Sequence, residues 1–423
     1  MPSPQPLQFW ANIQVSSPSQ TVAASSYKTP TRSILLLAVA GFASQAQVRV
    51  TDSLLPQIAS DFHTTVGSAA AVVTAYAVAH GSVQLVIGPV GDKLGKYRTV
   101  AMMCAIAIVL VTLCGLATSL HQLMLARFAT GLAGGWIIPI SMAYVGDVTP
   151  YERRQPILGR YLTGQILGQL SGQAAGGILG DLLGWRNVFF VLAGVFALAT
   201  AGLIFELITN PVTREPSHPN ETTRGFVADY AAVLTGAFAR VVIIVSFAEN
   251  VLVWGAFAYI GAFLRQRFGL SFTLIGLTVG CFGIGGLIYA GLVKQFVRHL
   301  GQVRLAITGG FMLAFGYLAL CIAPVWWVAP IGTIAIGLGF YMLHNTLQTN
   351  ATQMTPQARG TAVAIFSSAI FLGQTIGVAG GSLLIDRFGA VPLFLISACA
   401  LPPLAISFAR ELKWRAVRHQ RGI

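Results

Sequence analysis

"GQLSGQAAGGILGDLLG", residues 168–184, returns later in the chain as "GQTIGVAGGSLLIDRFG", residues 373–389. Gly168, Gln169, Gly172, Asp181 and Gly184 recur as Gly373, Gln374, Gly377, Asp386 and Gly389, and Arg154 just upstream recurs as Arg359, each displaced by 205 positions. A constant offset held over about 30 residues is hard to obtain by chance and marks an internal repeat. The chain therefore reads as two copies of one structural unit packed about a common axis.

The composition around the repeat says what that unit is made of. Of 423 residues, 55% are hydrophobic, only 9% are charged, and 46 are glycine, with a mean hydropathy of +0.72. A soluble globular domain does not look like this. A helix needs about 20 mainly apolar residues to cross a bilayer. Twelve such runs are legible, at about 33–57, 67–90, 99–118, 122–146, 157–180, 187–208, 239–264, 272–293, 303–323, 328–353, 361–385 and 391–409. The fold class is an all-α polytopic membrane protein with twelve transmembrane helices in two pseudo-symmetric six-helix bundles, an arrangement typical of secondary transporters. The longest polar interruption, "TNPVTREPSHPNETTRGFVADYAAVLTGAF" at 209–238, is the linker between a first bundle at 33–208 and a second at 239–409. Residues 1–32 read as a disordered tail without the basic head and apolar core of a signal peptide, and 410–423 as a basic tail.

A formal net charge of +13 raises the question of nucleic acid, and the positions of the bases answer it. With the N-terminus cytoplasmic, 20 of the 26 Lys and Arg fall in the tails, the cytoplasmic loops and the adjoining helix ends, leaving Arg186, Arg265, Arg267 and Arg387 outside and Arg49 and Arg127 within spans. The basicity reports topology, with both termini cytoplasmic in a bacterial inner membrane, and not a nucleic-acid partner. The five cysteines, Cys104, Cys114, Cys281, Cys321 and Cys399, lie within spans at no metal-type or redox-type spacing and read as small apolar packing residues. No cofactor or metal is expected, and no Walker-type phosphate loop is present, so the energy source should be an ion gradient.

The polar residues inside the spans are few and periodic. Gln45, Arg49 and Asp52 follow i, i+4, i+7 in the first span, and Tyr341, His344, Asn345 and Gln348 follow i, i+3, i+4, i+7 in the tenth. Each set makes one polar stripe on an apolar helix, which suits a wet cavity better than lipid. Glu249, near the middle of the seventh span beside Asn250, is the only acid so placed, and an uncompensated charge at that depth is costly. It is the first choice for a proton or cation site, the competing reading being a structural carboxylate paired with an arginine or hydrogen-bonded to Asn250. Asp52 is a second candidate for that purpose, the competing reading being that it neutralises Arg49 one turn away. His80 has no evident partner and reads as packing.

The loop "GPVGDKLGKYR", residues 88–98, between the second and third spans, resembles the signature of the major facilitator superfamily, Gly-x-x-x-Asp-Arg/Lys-x-Gly-Arg/Lys-x-Arg/Lys. The resemblance implies a conformational latch made by Gly88, Asp92, Lys93, Gly95, Lys96 and Arg98, in which Asp92 closes the cytoplasmic gate against the start of the eleventh helix. A merely basic loop would account for the lysines and the arginine but not for Asp92 or the glycines. "RFATGLAGG", residues 127–135, resembles the family's Arg-x-x-x-Gly pattern and implies a part for Arg127 in proton coupling, unless its side chain reaches the headgroups instead. Gly159, Gly168, Gly172, Gly176 and Gly177 keep the spacing of the antiporter signature in the fifth helix, with Gln173 where that signature has proline. The family's fold places spans one, four, seven and ten around the substrate. The resemblance thus implies a secondary active transporter, not an enzyme, most similar to the drug and metabolite proton antiporters. It would take a small molecule and protons as partners and work as a monomer. A symporter or facilitator for a sugar, nucleoside or organic anion is the alternative in the same fold.

Overall fold

The protein is described here by a computed structural model covering residues 30–87, 95–149, 151–214, 226–355 and 358–421. The first bundle contains α1 (Thr31–Asp61), α2 (Val66–Gln84), α3 (Lys96–Leu116), α4 (Leu120–Val148), α5 (Tyr151–Leu183) and α6 (Trp185–Thr209). The second contains α7 (Ala237–Phe268), α8 (272–300), α9 (302–322), α10 (Val328–Ala351), α11 (Arg359–Phe388) and α12 (Val391–Arg421). Among the described residues, ten helices are long and apolar enough to cross a membrane. One of them, Phe272–Ile322, is two spans meeting at Gly301, and α5 completes the twelve.

Local chemistry sets the helix ends. Thr65, Ser119 and Ser271 stand at the starts of α2, α4 and α8, and their side chains accept from the backbone N–H groups of Ser68, Gln122 and Leu274, satisfying donors that have no partner within the helix. Gly301 separates α8 from α9 with φ 65° and ψ 172°, a backbone state that side chains resist and glycine accepts. From Leu404 to Arg421 the chain holds neither glycine nor proline. The segment expected as a basic tail from 410 therefore continues α12 as helix to Arg421. In the linker, a short 3-10 turn (Pro211–Arg214) and a helix (Phe226–Thr235) are described.

The repeat governs the packing. In the first bundle Gly168 and Gly172 of α5 lie against the backbone at Phe42 and Ala46 of α1. In the second, Gly373 and Gly377 of α11 lie against the backbone at Phe247 and Val251 of α7, partners displaced by the same 205 positions. A Cβ at any of the four would approach a backbone carbonyl oxygen to 2.5 Å or less, so the glycines are what let these helix pairs touch. The bundles meet through α5 on α8 and α2 on α11. A Cβ on Gly177 would stand 2.4 Å from the Cα of Gly276, and one on Gly81 would stand 2.9 Å from the Cβ of Phe371.

With twelve spans the start of α1 and the end of α12 lie on one face, the terminal face. On the opposite face the repeated aspartates cross between bundles. At the end of α5, Asp181 accepts from the Thr273 hydroxyl at 2.6 Å and its backbone N–H at 3.2 Å, at the start of α8. At the end of α11, Asp386 accepts from the Thr65 hydroxyl at 2.7 Å and the Gly67 backbone N–H at 3.0 Å, at the start of α2. Each bundle thus places a carboxylate on the N-terminus of a helix of the other, where the helix dipole favours negative charge.

Candidate functional site

The stripe on α1 faces the bundle interface. Arg49 and Asp52 are buried, with Arg49 Nη1 3.8 Å from Asp52 Oδ2, while Gln45 is half-buried. The Arg49 guanidinium lies 3.3 Å from the centroid of the Trp254 ring on α7. Positions 49 and 254 are themselves 205 apart, so the two side chains are repeat equivalents meeting at the pseudo-two-fold axis. Asp52 also accepts from Gln173 Nε2 at 3.4 Å. The residue that departs from the glycine signature is therefore the one that reaches Asp52.

Arg127 on α4 is fully buried and does not reach the headgroups. It donates to the Gln47 carbonyl at 3.2 Å and the Thr51 hydroxyl at 3.5 Å, and its guanidinium sits 4.3 Å over the Tyr76 ring. It supports α1 from behind the stripe. Tyr76 also provides the partner that His80 lacked in the sequence reading. His80 Nδ1 is 3.2 Å from the Tyr76 hydroxyl, and its ring lies 3.9 Å from that of Phe371 across the interface.

In the second bundle Glu249 is fully buried, and its Oε2 lies 2.8 Å from His344 Nδ1 on α10. This contact must contain a proton whichever group holds it: a ring N–H donates to the carboxylate, or a protonated carboxyl donates to the ring. Asn250 Nδ2 donates to the same oxygen at 3.4 Å and to the Ser246 carbonyl at 2.8 Å, and Asn250 Oδ1 accepts from Trp254 Nε1 at 2.9 Å. Trp254 accordingly has its face on the first bundle and its edge in the second. Asp52, Arg49, Trp254, Asn250, Glu249 and His344 make one connected path from bundle to bundle.

Of the remaining α10 stripe residues, Tyr341 and Asn345 are half-buried and Gln348, nearest the terminal face, is exposed. The Tyr341 hydroxyl donates to Gln169 Oε1 of α5 at 3.3 Å, a second polar bridge between the bundles. Gln165, Gln169 and Gln173 stand at i, i+4, i+8, all buried, on the α5 face next to its glycines. Gln165 and Gln169 were missed as site residues although their spacing with Gln173 was available in the sequence. Of the α5 glycines, Gly168, Gly172 and Gly176 pack on α1 and Gly177 on α8, while Gly159 faces open space.

Of the loop signature, Gly88, Asp92 and Lys93 lie outside the described residues. Gly95 precedes α3 with φ 83°, Lys96 Nζ is 2.6 Å from Asp147 Oδ2 at the end of α4, and Arg98 is exposed. Among the described residues no three His, Cys, Asp or Glu side chains cluster as a metal site would need.

The family model of the Major Facilitator Superfamily matches residues 37–363. The chain belongs to the major facilitator superfamily. It is 25% identical over 378 residues to the uncharacterized MFS-type transporter YceJ of Bacillus subtilis, covering 86% of this chain and 94% of that protein. It is also 25% identical over 359 residues to a probable sugar efflux transporter of Helicobacter pylori, covering 84% and 89%. Among solved structures, the nucleoside transporter NupG superposes with a TM-score of 0.72 at 13% identity over 90% of this chain and 99% of that one. A bacterial homolog of the lysosomal transporter Spinster superposes at 0.64 and 17% identity, covering 90% and 93%. At these identities the structures speak for the fold. The major facilitator assignment makes the chain a multi-pass membrane transporter of small molecules.

Proposed function

We propose that this transporter is a proton-coupled antiporter that exports drugs or small metabolites by alternating access. The observation that carries the reading is the continuous path from Asp52 through Arg49, Trp254 and Asn250 to Glu249 and His344. The Glu249–His344 contact is the proton site, because it holds a proton between two titratable groups at a depth where an unpaired charge is costly. Loss of one proton from the pair's neutral form, carboxyl with imidazole or carboxylate with imidazolium, leaves an uncompensated negative charge beside Asn250. Its effect passes through Trp254 to the Arg49–Asp52 pair, so protonation and substrate compete for one arrangement of the axis. Arg127 holds α1 in place for that exchange, and the half-buried Gln45, Tyr341 and Asn345, with Gln348, line the substrate's way in. Asp92 and the surrounding loop residues act as the latch on the terminal face. That face is cytoplasmic in a bacterial inner membrane, a topology supported by Arg98, Arg214, Arg240, Lys294, Arg298 and Arg304 lying there against Arg186, Arg265, Arg267 and Arg387 opposite. The path needs no group from a second copy, and in this reading the protein acts as a monomer.

A second reading is supported by the glutamines. Gln165, Gln169 and Gln173 offer amides, which both donate and accept, as the hydroxyl groups of a neutral sugar require. A relative named as a probable sugar efflux transporter agrees with it. Everted membrane vesicles with a fluorescent pH-gradient probe separate the readings. Collapse of an inside-acid gradient by a cationic drug, a sugar or an organic acid, only when the protein is present, establishes proton antiport and identifies the substrate class. Passage of labelled sugar without proton movement replaces it with a facilitator.

A further inference from the structure

The end of α12 carries a surface that transport does not use. At 31 residues the helix is about 46 Å long, against a hydrocarbon core of about 30 Å, so its last turns stand beyond the core on the terminal face. Their depth is fixed by a neighbour: the Arg415 guanidinium lies 3.9 Å over the ring of Phe238, the second residue of α7. Leu412 is buried on the same side. The other side is exposed and holds Arg410, Lys413, Trp414, Val417 and Arg418 at i, i+3, i+4, i+7 and i+8. Trp414 is 63% exposed and Val417 45%, and the Arg418 guanidinium is 5.9 Å from the Trp414 ring. From 410 to 421 there are five bases and a single acid, Glu411.

We infer that this face of α12 binds the anionic phospholipid headgroups of the surrounding leaflet. The two halves of the stripe need the same partner for different reasons. Arg410, Lys413 and Arg418 require negative charge, and Trp414 with Val417 requires an apolar neighbour at the same depth. Only the boundary layer of a membrane offers both at once, phosphates above and the first methylenes of the acyl chains below, which is also where amphipathic rings settle. A soluble polyanion would satisfy the bases and leave the indole in water. Each base held near an anionic leaflet favours the contact about fivefold, so the three together should enrich anionic lipid here by on the order of a hundredfold in low salt, less as salt is added.

The full-length protein reconstituted in phosphatidylcholine vesicles containing a minor fraction of brominated phosphatidylglycerol tests this directly. Bromine quenches a nearby indole, and the difference between the protein and its Trp414→Phe variant isolates Trp414 from the other six tryptophans. The expected result is several-fold stronger quenching of Trp414 by brominated phosphatidylglycerol than by the same fraction of brominated phosphatidylcholine. That preference should fall to near equality in Arg410→Gln/Lys413→Gln/Arg418→Gln, survive in Arg410→Lys/Arg418→Lys, and weaken with salt in the unaltered protein. Equal quenching by the two lipids, or a preference untouched by both salt and the triple substitution, overturns the inference. The salt series needs no variant beyond Trp414→Phe to fold.

Discussion

Removing the charges of Asp181 and Asp386 together, as Asp181→Asn/Asp386→Asn, should open the face opposite the termini. Each aspartate holds a helix N-terminus of the other bundle through one hydroxyl and one backbone N–H. Asparagine keeps an acceptor oxygen in place, so what is lost is mainly the charge. A carboxylate at a helix N-terminus contributes about 0.3 to 1 kcal/mol, and both side chains are exposed, which argues for the lower half of that range. About 0.5 kcal/mol each gives about 1 kcal/mol together, or roughly a fivefold change in the ratio of closed to open molecules. Spin labels at Leu182→Cys on α5 and Leu383→Cys on α11, residues 73% and 72% exposed, would read the separation of the bundles in a background lacking the five native cysteines. The closed protein should give one dominant distance, and the double variant should add a longer one with several times the weight. Each single variant should give about half the free-energy effect, because the two caps are repeat equivalents. An unchanged distance distribution in a folded double variant would refute the idea that these caps bias the two states.

Other expectations are more local. Glu249→Gln keeps the shape and the contact with His344 but cannot ionise, so transport in that variant should lose its dependence on pH; a pH profile matching the unaltered protein would move the coupling site elsewhere. Trp254→Leu removes both the stacking surface of Arg49 and the donor to Asn250, and counterflow exchange should fall by at least tenfold while insertion persists. Gly177→Val forces a side chain where Gly276 stands 2.4 Å from an ideal Cβ, and should abolish transport and lower the thermal midpoint measured in detergent. Arg127→Ala strips two charge-assisted hydrogen bonds from a closed interior, and chemical unfolding should register a loss of about 2 to 4 kcal/mol.

The architecture was legible because membrane solvation constrains sequence strongly. Apolar runs have to be long, and a duplicated unit leaves its offset in the residues that touch backbone, as Gly168 and Gly373 do. The polar stripes on α1 and α10 were legible for the same reason, since a helix must turn its polar residues together. What the stripes touch was not legible. Glu249 and His344 are 95 positions apart, and their meeting depends on the rotation of two helices that periodicity leaves free. Arg127 was ambiguous because a count of residues from a span end gives depth but not direction, and only packing against Tyr76 and Gln47 decides between lipid and core. Gln173 looked like a defect in a pattern until Asp52 was found within its reach. That α12 runs on as helix after 410 was not legible either, because basic residues end a span by their cost in lipid without ending a helix.

The contact between Arg49 and Trp254 has a consequence for symmetry itself. Positions on a two-fold axis meet their own equivalents, so a protein built from two identical bundles would set the same residue against itself there. Two arginines would repel at 3.3 Å, and two tryptophans would leave Asp52 without its cation. The axis is therefore the one place where the halves could not stay alike and still close on each other, and the asymmetry that lets one bundle hold the acid–imidazole pair while the other holds the guanidinium groups begins at that single stacked pair.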